Sequence, residues 1–286
     1  MRTVLTLPRR RRLSAVAFSP DGRLLASGDQ DGAVSLHDLG DGRQVLRLGH
    51  GAKVLSLAFD AAGALLASAG ADHAVRLWRL PSGQRHATLE HERDVHAVAF
   101  GGGRLVSASA DGSALVWDLT AAGRPAAAAV LAHDSAVRAA AISADGKLVA
   151  TGCYDKTARL WDAASGAALG VLSCGARVES VAFGPGGARL ATGGWFGRAS
   201  VWDTAGGREV MRFGHDGFVE AVALSPDGGL LAVAGMGRTV ALVDVASGRQ
   251  VDAGEHGRPV RDLAFSPAAR LLASAGDDRT VRLWVV

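Results

Sequence analysis

Five histidines, His50, His91, His133, His215 and His256, recur at intervals of 41 or 42 residues, and Cys174 falls in the same register between the third and the fourth. Counting 41 residues back from His50 reaches Arg9, so seven units start near residues 9, 50, 91, 133, 174, 215 and 256 and fill the 286-residue chain. A fixed period of this length marks a fold in which each unit is one small supersecondary structure and neighbours bury each other's faces. The unit is clearest between His133 and Asp162. Val137–Ile142 is a run apolar except for Arg138, and Ser143-Ala144-Asp145-Gly146 places Asp and Gly where a hairpin loop wants them. Leu148–Gly152 and Thr157–Trp161 are two further runs rich in strand formers, separated by Tyr154-Asp155-Lys156. A fourth run, Ala167–Leu172, follows Ala164-Ser165-Gly166. Such a sheet is apolar on both faces and needs a neighbour on each side.

Gly49-His50 and Gly214-His215 open units, and Trp117-Asp118, Trp161-Asp162 and Trp202-Asp203 close third runs. The turn motif SPDG stands at Ser19–Gly22 and Ser225–Gly228. On these residues the whole chain resembles the WD-repeat β-propeller family. The resemblance implies an all-β fold: a seven-bladed β-propeller of four-stranded antiparallel blades, forming one domain over residues 1–286. Arg2–Leu7 (RTVLTL) is similar to the fourth run Arg43–Leu48 (RQVLRL), whereas the last unit ends at Trp284-Val285-Val286 without a fourth run. The family's ring closure then implies that residues 2–7 complete the seventh blade and remove the open edge of a linear array. Met1 is accordingly expected at or close to a true start.

The resemblance also implies a buried relay in each blade, from Trp indole N–H to Ser or Thr hydroxyl to imidazole to carboxylate. Four sets are complete in sequence: His50/Ser68/Asp72/Trp78, His91/Ser107/Asp111/Trp117, His133/Thr151/Asp155/Trp161 and His256/Ser274/Asp278/Trp284. Asp155 is expected to be the acceptor for His133. The first unit has Arg9, Ser27, Asp31 and His37; the fifth has Cys174, Thr192, Phe196 and Trp202; the sixth has His215, Val233, Gly237 and Val243. A Ser-His-Asp set that recurs in unit after unit, without a Gly-x-Ser-x-Gly elbow, reads as architecture and not as a hydrolase triad. The third unit has the short turn Gly101-Gly102-Gly103 and extra residues in Thr120–Ala129, read as a loop on the face away from the histidines.

The net charge of +3 is too small for an obligate nucleic-acid binder. Cys153 and Cys174 form no CxxC pair and no ligand cluster, so no metal and no cofactor is expected, and a reducing, cytoplasmic setting is the simpler reading. No run of 18 apolar residues exists, so no membrane partner is expected. The stretch behind Arg9–Arg12 is interrupted by Ser19-Pro20-Asp21-Gly22, which argues against a secretory signal.

A propeller does not itself imply an activity. Phe18, Phe59, Phe100, Phe183 and Phe265 share one core position, and five of the six tryptophans lie in third runs. The aromatics left over gather in units four to six. In the family, the turn before the third strand and the start of the first strand face partners. Tyr154, Trp195, Phe196 and Met236 fall in the first of these loops and Phe218 in the second. Around the channel mouth the resemblance places Arg12, Lys53, Asp94, His96, Arg138, Arg177, Glu179, Glu220 and Arg261, with Asp277 from the turn loop. Mixed signs point to a protein or peptide partner and away from a polyanion. The expectation is a non-catalytic scaffold, monomeric by itself, that docks a partner segment near blades 4–6 on Tyr154, Trp195, Phe196, Phe218 and Met236, rimmed by Arg138, Arg177, Glu179 and Glu220. Phe196, beside the missing His and Asp, is the better candidate to fold inward, and Trp195 to stay exposed. The alternative is nucleic-acid or polyanion binding through Arg9–Arg12.

Overall fold

The computed structural model describes residues 1–119 and 125–286. It contains seven four-stranded antiparallel sheets. Their innermost strands are Leu13–Phe18, Val54–Phe59, Val95–Gly101, Val137–Ile142, Val178–Phe183, Val219–Leu224 and Val260–Phe265, which define blades 1 to 7. Each innermost strand packs on the next, and the first packs on the last, so the ring is closed. Within blades 1 to 6 the strands follow chain order from inside to outside.

Blade 7 takes its outer strand from the other end of the chain. Arg2–Pro8 pairs antiparallel with Thr280–Val285, running from Arg2 opposite Val285 to Pro8 opposite Thr280. Leu7 is buried there with Leu13, Leu25, Val281 and Leu283. The Met1 ammonium bonds the Asp252 carboxylate and, at 2.9 Å, the Ala253 carbonyl on the outer strand of blade 6.

The core is divided into seven clusters, each between two neighbouring blades. Leu36, Val54, Leu57 and Trp78, for example, seal blade 1 against blade 2, and Ala221, Val260, Leu263 and Trp284 seal blade 6 against blade 7. This distribution follows from strands that are apolar on both faces. The short turn of blade 3 is a two-residue hairpin loop in which Gly102 and Gly103 have φ of +54° and +77°. Gly102 presses against the turn of blade 4, where a Cβ would lie 2.6 Å from Gly146 Cα, so only glycine fits both needs. Of the stretch read as a loop, residues 120–124 lie outside the described residues. Ala126–Ala129 belong instead to the outer strand Ala126–Ala132, because paired alanines continue the ladder to Asp118.

One feature is repeated in all seven blades. The innermost strand carries a register shift at its second residue, as between Val137 and Ala139 or Val260 and Asp262. A bulge leaves one residue out of the ladder and re-aims its side chain. The bulged residues are Ser14, Leu55, His96, Arg138, Glu179, Glu220 and Arg261, and all seven line a central channel of about 660 Å³. Next to the bulge, Ser56 and Ser180 cap backbone N–H groups of the following blade, Val98 at 3.2 Å and Val222 at 3.1 Å. At the junction of blades 7 and 1 the same place is held by Asp262, which accepts from Val16 N–H at 2.7 Å and from Leu263 N–H at 2.8 Å. Burial pushes the Asp262 carboxyl up to about 7, against the pull of those two donors.

Candidate functional site

The relay residues meet as a chain in blades 2, 3 and 7. In blade 2 the Trp78 indole donates to Ser68 Oγ at 2.8 Å, His50 Nδ1 lies 2.8 Å from that hydroxyl, and His50 Nε2 lies 3.1 Å from Asp72. In blade 3 the links Trp117–Ser107, Ser107–His91 and His91–Asp111 measure 2.8, 2.7 and 3.1 Å. In blade 7 the links Trp284–Ser274, Ser274–His256 and His256–Asp278 measure 2.8, 2.6 and 2.9 Å. Burial lowers the pKa of His50, His91 and His256 by more than the neighbouring carboxylates raise it, so these imidazoles are neutral near pH 7. Ser68, Ser107 and Ser274 are 0% exposed beneath the indoles, so none has access to a substrate.

Blade 4 departs from the sequence reading. Trp161 and His133 still meet Thr151, each at 2.8 Å. Asp155 is not the acceptor for His133: the two stand 3.9 Å apart, and Nδ1 of His133 has no partner. Asp155 is held by Thr157 at 2.6 Å and by Arg159 at 2.8 Å instead. In blade 1, Arg9 takes the missing place and donates to Ser27 at 3.1 Å and His37 Nδ1 at 2.9 Å. In blade 5, Trp202 reaches Thr192 at 2.9 Å, and Arg198 and Ser200 close on Glu209 at 3.0 and 2.6 Å, so that a carboxylate from the outer strand fills part of the space. His215 of blade 6 turns to the Thr239 carbonyl, 3.0 Å away.

The residues singled out around blades 4 to 6 converge on one face. Tyr154 lies under two guanidinium groups, Arg138 at 5.5 Å and Arg177 at 4.8 Å from the ring centroid. Arg177 also stands 4.6 Å from the Trp195 ring. Trp195 stacks on Phe218 with centroids 4.8 Å apart and planes 15° from parallel. The result is a column of alternating cations and rings, Arg138, Tyr154, Arg177, Trp195 and Phe218. Glu179 ties it to the channel: Oε1 accepts the Trp195 indole N–H at 2.7 Å and Oε2 accepts Arg138 Nε at 3.0 Å. Arg138 also lies 2.8 Å from His96 Nδ1. Burial, then Arg138 and Lys53, push His96 down to about 3, so it is a neutral acceptor. A second network joins Glu220 to Arg261 at 3.2 Å and Arg261 to Asp277 at 2.6 Å, and Arg261 Nη1 lies 3.8 Å from Met236 Sδ. Burial raises the Glu220 carboxyl more than Arg261 lowers it.

Trp195 and Phe196 exchange their expected places. Trp195 is half-buried and satisfied at its N–H, whereas Phe196 is 81% exposed. The turn explains it. Phe196 has φ +63° and ψ 21°, a left-handed conformation that directs its side chain outward and leaves the Trp195 ring to pack on Phe218. A bulky residue in that region costs about 1–2 kcal/mol. Phe196→Gly is therefore expected to stabilise the fold by about 0.5–1 kcal/mol, since glycine accepts the left-handed conformation while losing more chain entropy on folding. Urea denaturation of both proteins measures it, and an unchanged or lower midpoint for the glycine variant would contradict the strain.

The sequence reading found no ligand cluster, but the fold brings His133, Cys153 and Asp155 together with their potential ligand atoms all within 4.8 Å of one another. Adjacent turns of different strands meet there, which spacing along the chain does not reveal.

Compared with known families, residues 53–286, which cover blades 2 to 7 from the first inner strand onward, match the family described as IFT122 first beta-propeller. Residues 2–38 match the family described as WD domain, G-beta repeat. No curated protein matches the chain.

Proposed function

The chain belongs to the family of the IFT122 first beta-propeller, and from that premise we propose that it is a non-catalytic interaction platform whose working surface is the face of blades 4 to 6. The partner segment it takes carries an apolar anchor followed closely by a carboxylate. The apolar anchor sits among Phe196, Phe218 and Met236, which are 81%, 40% and 42% exposed. The carboxylate goes to Arg177, which makes no ion pair among the described residues, whereas Arg138 and Arg261 are already paired with Glu179 and Asp277.

One observation carries this reading: three exposed apolar side chains border a column of rings and guanidinium groups that is ordered before any partner arrives. Interfaces concentrate their energy in such aromatic and arginine anchors, and pre-ordering removes much of the entropic cost of docking. The same reading places a monomeric protein in the cytoplasm and rests on two cysteines that stand as buried free thiols. The alternative, a polyanion on Arg9–Arg12, draws less support. Arg9 is half-buried against Ser27 and His37, and Arg11 is paired with Asp31 at 2.6 Å, which leaves Arg10 and Arg12.

Selection of a displayed random-peptide library on the folded protein tests the site. Enriched peptides are expected to carry an aromatic or large aliphatic residue beside Asp or Glu. Binding of a synthesised winner, measured by calorimetry, is expected to weaken by at least about 2 kcal/mol in Trp195→Ala and Phe196→Ala. Arg177→Gln is expected to remove the preference for the acidic residue, and Arg43→Ala, in the turn just before the outer strand of blade 1, to change nothing. Equal binding by all four variants would move the site elsewhere on the ring, and a winner rich in acidic residues that is lost only with Arg10 and Arg12 would favour the polyanion.

A further inference from the structure

The turns of blades 3 and 4 are held by the same pair of hydrogen bonds, made by an oxygen in one and by a sulfur in the other. In blade 3, Ser109 Oγ donates to the Arg93 carbonyl at 3.2 Å and accepts from Asp111 N–H at 3.1 Å. In blade 4, Cys153 Sγ does both, toward the Ser135 carbonyl at 3.4 Å and from Asp155 N–H at 3.5 Å. The larger sulfur is accompanied by a wider gap. His91 lies 3.1 Å from Asp111, but His133 lies 3.9 Å from Asp155. The His133 side chain is 0% exposed and its Nδ1 has no partner. A neutral imidazole nitrogen buried without a partner costs about 1–3 kcal/mol, so the position calls for an occupant.

We propose that His133 Nδ1, Cys153 Sγ and Asp155 Oδ2 form a binding site for a divalent transition-metal ion of the zinc class, with solvent as a further ligand. An imidazole, a thiolate and a carboxylate are a donor set of that class and not one for magnesium or calcium, which take oxygen alone. Ligand atoms about a tetrahedral zinc ion stand roughly 3.3–3.8 Å apart. The three atoms here lie within 4.8 Å of one another, so closure needs only rotation of the Cys153 and Asp155 side chains. Thr151 stands 2.8 Å from His133 Nε2; in the Nε2–H tautomer, which metal binding at Nδ1 selects, its hydroxyl accepts that N–H and orients the ring, as an outer-shell partner orients a metal-bound histidine. Asp155 is 17% exposed at its side chain and gives the ion a way in from solvent.

Charge and protons balance. Cys153 gives its thiol proton to solvent on binding, and thiolate plus carboxylate neutralise the ion. Burial pushes the free thiol up to about 11, so without an ion Cys153 stays protonated and inert. Arg159 now holds Asp155 Oδ2 at 2.8 Å and also reaches the exposed Asp134 at 3.6 Å. Binding moves the guanidinium from the first carboxylate to the second. The remaining blades carry Asp29, Gly70, Gly194, Gly235 and Gly276 where blade 4 has Cys153, so the thiolate-containing trio is confined to blade 4.

Cobalt(II) added to the full chain tests the site. A thiolate-to-cobalt charge-transfer band is expected to saturate at one ion per chain and to vanish on addition of zinc. Zinc, but not magnesium, is expected to raise the melting temperature. Cys153→Ser should fold, because blade 3 carries Ser109 in that place, and it should lose the band and at least about tenfold in zinc affinity. Cys174→Ser, at the other buried cysteine, should keep both. No saturable band in the wild type, or an unchanged band in Cys153→Ser, would overturn the proposal and leave Cys153 as a structural counterpart of Ser109.

Discussion

Deletion of residues 1–7 is expected to lower the melting temperature by roughly 8 °C and to make the chain prone to aggregate. The strand Arg2–Pro8 makes six register pairs with Thr280–Val285 and delivers Leu7 to the cluster between blades 7 and 1. Loss of one buried leucine costs about 2–5 kcal/mol, and Leu5 and the Met1 contacts to blade 6 go with it. A total of about 5 kcal/mol corresponds to a shift of that size for a chain of this length. The larger consequence is the freed edge. Thr280–Val285 would present unpaired backbone groups along its whole length, a template for pairing with another chain. Scanning calorimetry and size-exclusion chromatography read both effects. A truncated chain that keeps the elution volume of the intact protein and melts with it would show that the closure adds nothing to stability.

Relative to an Asp262→Asn variant, the wild type is expected to lose about 1.5–2.5 kcal/mol of stability as pH rises from 5 to 8. The carboxyl titrates at about 7 in the fold, against about 3.9 in an unfolded chain. An acid whose pKa is raised by folding keeps its proton longer in the native state, so its contribution is complete below pH 4 and is lost progressively up to about pH 7. The full interval would amount to about 4 kcal/mol, and the opening of the Asp262 side chain onto the channel reduces it. Buried histidines run the other way. His37, His96 and His133 are held near 4, 3 and 4, so they stay neutral in the fold and favour the unfolded chain below about pH 6.5. The difference between the two proteins removes that common slope. Asparagine keeps one acceptor for Val16 or Leu263 and loses the other, at a cost of about 1 kcal/mol that does not vary with pH. The two stability curves, taken from urea denaturation, should therefore cross, with the wild type ahead in mild acid and behind in mild base. Parallel curves would mean that Asp262 does not hold its proton in the fold.

The architecture was legible because it is written seven times. Strand runs, turn residues and the spare RTVLTL all point to the same ring, and the pairing of Arg2–Pro8 with Thr280–Val285 follows from a unit that lacks its own fourth strand. The residues of the candidate face were also legible, by subtraction: once Trp and Phe at repeated positions are assigned to the core, Tyr154, Trp195, Phe196, Phe213 and Phe218 remain, Phe213 falls in a fourth strand, and Met236 joins the others from the same turn position. Their arrangement was not. Which of Trp195 and Phe196 turns inward depends on one backbone angle, the φ of +63° at Phe196, in a turn that no other blade repeats. The resemblance places Arg138, Glu179 and Glu220 around the channel mouth, but the bulge that lifts each of them out of the ladder is a backbone feature that the strands VRAAAI, VESVAF and VEAVAL do not display. Asp262 reads as one polar residue in a strand until Val16, 246 positions away, is seen to donate to it. Blade 4 has every residue type of the relay, yet side-chain packing around Cys153 and Arg159 opens its last link to 3.9 Å.

The strand Arg2–Pro8 and its partner Thr280–Val285 stand at opposite ends of the chain in time as well as in sequence. At about 5–20 residues per second, a ribosome needs roughly a quarter of a minute to a minute to make the second after the first. Through that interval blade 1 can stack on blade 2, and blade 2 on blade 3, but the opening strand has nothing to pair with and the flank of blade 1 that holds Leu13 and Leu25 stays wet. The nascent ring is an open arc carrying a loose, adhesive strand until Thr280–Val285 emerges. Its yield in a cell then depends on what shields that strand during synthesis, and a permuted gene that begins between two blades and joins Val286 to Met1 would build every blade from consecutive strands and leave none waiting.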